Sequence, residues 1–374
     1  MRVLYWVDSA AAKTPGGHCV QFEQTNQHIQ ELGVDTVVCT HGRPDDLSGF
    51  DIVHGYGLNV DDVKYCKSKN KDAKVVISTI YWSSRYDYPY AEQNLLTDLR
   101  KFARKTKLGL RLFRSALTGD HKAVCLDHIA YQYALRATFD AADLLLPNAH
   151  GEAALVASEL GTTTPQRVVV NGVNHKLFTY DRTQPDSEYV LYCARFEPHK
   201  NQLGLIKAMQ SSSLPLVLVG AEHKGHPEYY KRCHAEAAKG KNIKILPAVQ
   251  HHELPRLYQG AKVHAMPSFF ETTGLVSLEA ALSGCNVVAG NRGYAREYFE
   301  GDAWWCDPYK AETIRNAVER AFETPFNHEL RERILRKYTW EQTARQTLAA
   351  YEDVLAGSNT NYSYDQNLAS LTLV

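Results

Sequence analysis

Short, nearly continuous apolar runs recur along this chain, and segments with helical spacing lie between them. This rhythm limits the fold more than any other feature. In the first half the runs fall at 3–7, 36–39, 52–54, 74–78, 144–146 and 168–170. In the second they fall at 189–194, 216–219, 243–246, 263–266 and 286–289. They are rich in Val, Ile and Leu with little polar alternation, as parallel strands covered on both faces require. Helical patterns such as 18–32 and 202–210 separate them. The spacing predicts an α/β fold with doubly wound parallel sheets.

A chain of 374 residues is long for one such unit, so two domains are expected. The polar stretch TYDRTQPDSE at 179–188 separates the two series of strands and marks the expected boundary. One domain then covers 1–180 and a second covers 186–339. A cleft between two such domains, facing the C-terminal strand ends, is the expected ligand site.

Lys+Arg and Asp+Glu each number 42, which argues against nucleic acid as the main partner. The eight cysteines are scattered, without a C-x-x-C pair. They read as reduced, mostly buried thiols of a cytoplasmic protein. The start MRVLYWVDSA is too short and too soon polar for a signal peptide, and no apolar run approaches a membrane span.

The most informative stretch is MPSFFETTGLVSLEAALSGCNVVAG, 266–290. Glu271 ends an apolar run, a Thr-Thr-Gly turn follows, and the helix-forming segment after it carries Glu279. Backbone N–H groups of Gly274, Leu275 and Val276 at a helix start suit a phosphate-bearing ligand, with Thr273 in the same turn. Glu279, near the second turn, can accept hydrogen bonds from two adjacent hydroxyls such as those of a ribose. Arg195 and Lys200 follow the run at 189–194, across a Phe-Glu-Pro-His loop that lets both cations face the cleft. Gly16 and Gly17 open the passage from the first strand to the first helix, where backbone can approach a phosphate or sugar closely. The pair falls short of G-x-G-x-x-G, which disfavours a hydride-transferring dinucleotide enzyme.

With VVVNGVNHKLF at 168–178, LYCARFEPHKNQLGLIKAM at 191–209, HHELPRLYQGAKVHAMPS at 251–268 and KYTWEQTARQTLAAYEDVL at 337–355, these motifs resemble the retaining glycosyltransferases of family 4. The likeness is specific in the C-terminal half and looser before it. It implies the GT-B fold: two Rossmann-like domains facing a central cleft, with a helix at 340–356 crossing back to the first domain and a tail at 357–374. It also implies transfer of a hexosyl unit from a nucleotide-sugar donor to a glycan or lipid-linked acceptor, in surface polysaccharide or glycoconjugate synthesis. Arg195 and Lys200 would then stabilise the departing diphosphate in place of a metal, so neither metal nor cofactor is expected. Glu271 would bind hydroxyls of the transferred sugar, Glu279 the ribose, and the Gly16-Gly17 loop would approach the reacting centre.

The first half departs from the family pattern. Tyr81 stands where family members often have a histidine. His54 keeps a frequent histidine, whereas Tyr56 replaces a second one. His54 and Tyr81 are the candidates for the acceptor side. Ala248 replaces a glycine common near the base pocket. The segment 99–122 holds eight Lys or Arg against one acid, interleaved with Phe and Leu. It can lie on an anionic inner-membrane surface as a peripheral contact. Two other readings share the architecture: a nucleotide-sugar epimerase, and a non-catalytic nucleotide-sugar-binding protein.

Overall fold

The computed structural model describes residues 1–8, 16–82, 122–181 and 188–357, with 122–130 as backbone only. The basic segment 99–122, apart from the backbone of Lys122, and the tail beyond Gly357 lie outside the described residues. Two wholly parallel sheets organise the rest. Strands β1 (Arg2–Val7), β2 (Asp35–Cys39), β3 (Ile52–Tyr56), β4 (Lys74–Ser78) and β5 (Leu144–Leu146) are ordered β2-β1-β3-β4-β5. Strands β6 (Tyr189–Cys193), β7 (Leu216–Val219), β8 (Ile243–Leu246), β9 (Ala261–Met266), β10 (Asn286–Gly290) and β11 (Trp304–Cys306) are ordered β11-β10-β9-β6-β7-β8. The central strands are buried almost throughout, which is why their residues are Val, Ile and Leu without alternation.

Strand order decides where the loops gather. In the first sheet the order reverses between β1 and β3, and in the second between β6 and β9. Loops leaving the C-terminal ends of these strands diverge to opposite faces and open a crevice. Gly16-Gly17, Arg195–Lys200 and Glu271–Gly274 occupy just such loops.

Two expectations about strands need correction. The run 168–170 is not a sheet strand. Its approach is paired, with Arg167 N–H donating to Leu145 O and Val169 N–H to Pro147 O, both at 2.9 Å, but only the isolated Leu145–Gln166 bridge forms. Beyond it Val170 N–H donates to the Gln346 side chain at 3.0 Å and Asn171 N–H to the Tyr298 hydroxyl at 3.0 Å, so side chains take the segment out of the sheet. Conversely, β11 has no aliphatic β-branched run. Its Trp-Trp-Cys sequence gave no strand signal, and it exists because it pairs with β10.

Four helices bear on the site: α1 (Gly17–Glu31), α2 (His150–Leu155), α3 (Leu275–Leu282) and α4 (Trp340–Leu355). Helix α4 starts beside the link between the two sheets and packs along α1. Gly172 makes the crossing tight, since a side-chain carbon there would lie 2.4 Å from the Trp340 nitrogen. Val173 bridges Thr339 at the same point. The Thr339 hydroxyl caps the helix at Gln342 N–H. All described cysteines are free, and all except Cys39 are buried.

Candidate active site

The loop after β6 is built to carry charge outward. Pro198–Lys200 forms a single 3₁₀ turn that ends at Asn201, in the left-handed region with φ 57°. Asparagine tolerates that conformation, and here its amide donates to Pro267 O at 3.0 Å and Pro308 O at 2.8 Å. One buried side chain thus ties the loops after β6, β9 and β11 together. Phe269 N–H donates to His199 O at 2.9 Å, and the Tyr192 hydroxyl donates to Lys200 O at 3.0 Å. The turn is therefore rigidly placed.

Its charges are paired. Lys200 Nζ lies 2.7 Å from Glu271 Oε2, and Arg195 Nη2 lies 2.7 Å from Glu197 Oε1. The other Glu197 oxygen is 3.3 Å from His199 Nδ1. Partial burial, with Lys200 and Arg195 alongside, pushes His199 down to about 3, so its ring is neutral near pH 7.

Gly274 caps α3 in the left-handed region, φ 77°, where glycine carries no Cβ penalty. Ser277 and Leu278 N–H donate to Gly274 O, which leaves Leu275 and Val276 N–H without an intrahelical acceptor. These two N–H groups and the helix end can receive an anion. The Gly16-Gly17 loop arrives from the first sheet. A side-chain carbon at Gly16 would lie 3.6 Å from Arg195 Nη2, and one at Gly17 3.7 Å from Leu275 Cδ1. Gly16, Gly17, Arg195, Lys200, Glu271, Gly274, Leu275 and Val276 thus converge on one cleft.

The remaining predicted residues sit differently. Glu279 is 6% exposed; its oxygens meet His251 Nε2 at 2.8 Å and the Tyr258 hydroxyl at 3.3 Å. Glu279, accepting a hydrogen bond from the imidazole, raises His251 above its ordinary value. Thr273 is buried, and its hydroxyl accepts from Asn171 Nδ2 at 2.9 Å. Its side chain braces the loop before α3 against the inter-sheet link.

His54 and Tyr81 do not present an acceptor surface. His54 is 1% exposed, with Nδ1 2.6 Å from the Tyr351 hydroxyl and Nε2 2.9 Å from Ser78 Oγ. Burial pushes it down to about 3, a neutral core histidine. Tyr81 is buried too, and its hydroxyl donates to Glu159 at 2.7 Å. Both side chains are already spent on internal partners.

Glu197, His199, His251 and Asn171 join the site only in the structure. His199 and Glu197 were legible as polar residues within the cation loop. His251 and Asn171 gain their roles only from partners 28 and 102 positions away. Among the described residues no group of three His, Cys, Asp or Glu is arranged to hold a metal. No described helix is long and apolar enough to cross a membrane.

Residues 178–339 match the family model of glycosyl transferases group 1. The chain is 28% identical over 174 residues to O-antigen chain mannosyltransferase B of Escherichia coli, covering 44% of this chain and 45% of that protein. It is 26% identical over 202 residues to a D-inositol 3-phosphate glycosyltransferase of Corynebacterium glutamicum, covering 47% and 46% respectively. The chain spans about half the length of the curated relatives it matches. Among solved structures, sucrose-phosphate synthase of Thermosynechococcus elongatus superimposes with a TM-score of 0.72 at 17% identity, covering 96% of this chain and 100% of that one. Anabaena HepE, solved in complex with UDP and glucose, gives a TM-score of 0.66 at 16% identity, covering 94% and 99%. The architecture is GT-B: two Rossmann-like α/β domains.

Proposed function

We propose that this chain is a retaining glycosyltransferase that moves a hexosyl unit from a nucleotide sugar to an acceptor hydroxyl. The acceptor is a glycan or lipid-linked sugar in surface polysaccharide or glycoconjugate synthesis. One observation carries the reading. Two cations, a carboxylate and an unspent helix start meet a glycine loop from the opposite sheet, at the switch points of both sheets.

Arg195 and Lys200 bind the diphosphate, together with Leu275 and Val276 N–H. Charge on the leaving phosphate grows as the C1–O bond breaks, so these donors hold the transition state more tightly than the ground state. Lys200 shifts from Glu271 toward the phosphate. The freed Glu271 carboxylate then accepts hydrogen bonds from hydroxyls of the transferred sugar. Glu279 takes the ribose. The acceptor oxygen bonds to C1 on the face the phosphate leaves, and the acceptor proton passes to the departing phosphate oxygen. That geometry retains the anomeric configuration. The two cations supply the neutralising charge, and the reaction proceeds without a divalent metal.

A thermal-shift screen of UDP-, GDP- and ADP-sugars identifies the donor, because a ligand of the native state raises its stability. Nucleotide release is then measured with and without methyl glycosides as acceptors, in EDTA and in Mg²⁺. Acceptor-dependent release that EDTA leaves unchanged, with the donor's anomeric configuration kept in the product by NMR, is the expected result. Interconversion of the nucleotide sugar with no transfer would make it an epimerase. Binding without turnover would make it a binding protein.

A further inference from the structure

Beyond β4 the chain makes a turn that its own residues resist. Ile80 has φ 42°. A β-branched residue in the left-handed region costs about 1–3 kcal/mol, and such strain persists only where the surroundings hold it. The holding group here is a single buried carboxylate. Glu152 in α2 is fully buried and accepts from Thr79 Oγ1, from Tyr81 N–H at 2.7 Å and from Asn148 N–H at 2.9 Å. Two of its three donors flank Ile80. Tyr81 is pinned a second time through its hydroxyl to Glu159.

The next residue is what this framework presents. Trp82 is 44% exposed, and its indole stacks on His199 across the cleft, with ring centroids 6.3 Å apart and planes at 29°. His199 contacts Glu197, which pairs with Arg195. A large aromatic face, half open to solvent, therefore stands beside the loop that carries Arg195 and Lys200. His199, whose ring stacks on the indole, is the polar side chain next to this face, and Glu197 stands behind it. Indoles of this kind bury the C–H face of a pyranose while polar neighbours take its hydroxyls.

We propose that Trp82 is the platform on which the acceptor's pyranose ring stacks, with Glu152 as the positioning residue that holds the strained Thr79–Trp82 turn. The inference rests on the transferase reading and names its acceptor class: a six-membered sugar ring, not an acyclic alcohol or a phosphate ester alone.

The test uses the full chain with UDP, GDP or ADP, whichever binds, and three probes: methyl α-D-mannopyranoside, methyl α-D-glucopyranoside and glycerol. The chain has five tryptophans, so subtracting Trp82→Phe isolates the Trp82 signal. At least one glycoside should change tryptophan emission saturably in the native protein but not in Trp82→Phe, and glycerol should not change it. Trp82→Ala should raise the glycoside KM at least about tenfold, the scale of about one stacking contact of this kind, with Trp82→Phe intermediate. Calorimetric affinity for that nucleotide should stay within about twofold. Glu152→Gln should raise glycoside KM severalfold without moving nucleotide affinity, an effect that a general loss of stability would not produce. No glycoside response in the native protein, an equal response in Trp82→Phe, or parallel loss of glycoside and nucleotide binding in Trp82→Ala overturns the platform. An unmoved glycoside KM in Glu152→Gln overturns the positioning role. If none of the three nucleotides binds, the donor reading fails, and the glycoside response alone still decides the fate of Trp82.

Discussion

The two halves of this molecule treat polar side chains in opposite ways. In the first half they are consumed inward. Tyr5, His54, Ser78 and Tyr351 form a closed hydrogen-bonded cluster beneath the sheet, and Glu152 is held by three neutral donors. Burial pushes His54 down to about 3 and Glu152 up to about 7, each toward its neutral form. In the second half the polar groups pair as ions at the cleft mouth: Lys200 with Glu271, Arg195 with Glu197, His251 with Glu279. Hydrogen bonds that close on themselves stabilise and position. Ion pairs whose cationic partner still reaches solvent can exchange that partner when a ligand arrives. The first half is a scaffold that presents a turn, and the second is a set of charges waiting for a ligand.

The sharpest way to break this contrast is to remove a rim cation. Arg195→Ala or Lys200→Ala should each lower kcat/KM by roughly 10²–10³-fold, the scale for losing one transition-state donor. Melting temperature should barely move, because both pairs are partly exposed. Steady-state kinetics and a melting curve on the same sample check both halves of the statement. A large fall in stability with little loss of rate would put these cations in the scaffold.

The reverse experiment belongs to the first half. His54→Ala takes one hydrogen-bond partner each from the buried Ser78 and Tyr351 hydroxyls. Each lost bond costs about 0.5–1.5 kcal/mol, and the cavity left by the ring adds to it. For a protein of this size that lowers the melting temperature by several degrees, at about 2–4 °C per kcal/mol. Acceptor KM at a temperature where the variant is folded should not change. A raised acceptor KM with an unmoved melting point would return His54 to the acceptor side.

Legibility in the sequence divides along the same line. Parallel strands are visible because burial on both faces demands unbroken Val, Ile and Leu. The rim charges are visible because Arg195, Lys200 and Glu271 each follow such a strand within a few residues. The scaffold's polar network is not visible. Glu152 meets Tyr81 across 71 positions and His54 meets Tyr351 across 297, and neither residue type nor local spacing announces such pairs. Tyr81 drew notice as a replaced histidine, whereas its neighbour Trp82 is the residue the turn actually offers. Thr273 shows the same limit, since its place in a motif gave no hint that Asn171 would claim its hydroxyl.

A smaller effect tests the division of labour within the second half. Glu279→Gln should weaken binding of the free nucleoside diphosphate by about tenfold, or about 1.4 kcal/mol, by losing a charge-assisted bond to ribose. Glu271→Gln should leave that affinity nearly intact and lower kcat instead, because on the proposed reading its ligand group is the transferred sugar, which the free nucleotide lacks. Titration calorimetry compares the two directly. Equal losses in both variants would mean the two acids share one ligand group.

The smallest expected effect concerns proton linkage at the rim. Glu279 raises His251 above its ordinary value of 6.5 in the folded protein. A histidine raised on folding holds stability that is complete below its unfolded value and lost as pH climbs through the folded one. His251 is about half exposed, so screening limits the pair to a few tenths of a kcal/mol. The melting temperature of the native protein should therefore exceed that of His251→Gln by about 1 °C or less near pH 5.5, and the gap should close by about pH 8.5. Saturating nucleotide supplies the sharper half of the test. If ribose takes the Glu279 carboxylate, His251 loses its partner and the gap should vanish at acidic pH as well. A gap that survives saturation would show that Glu279 keeps His251 when nucleotide is bound, and the acid would then belong with the closed, inward-facing polar groups of the first half.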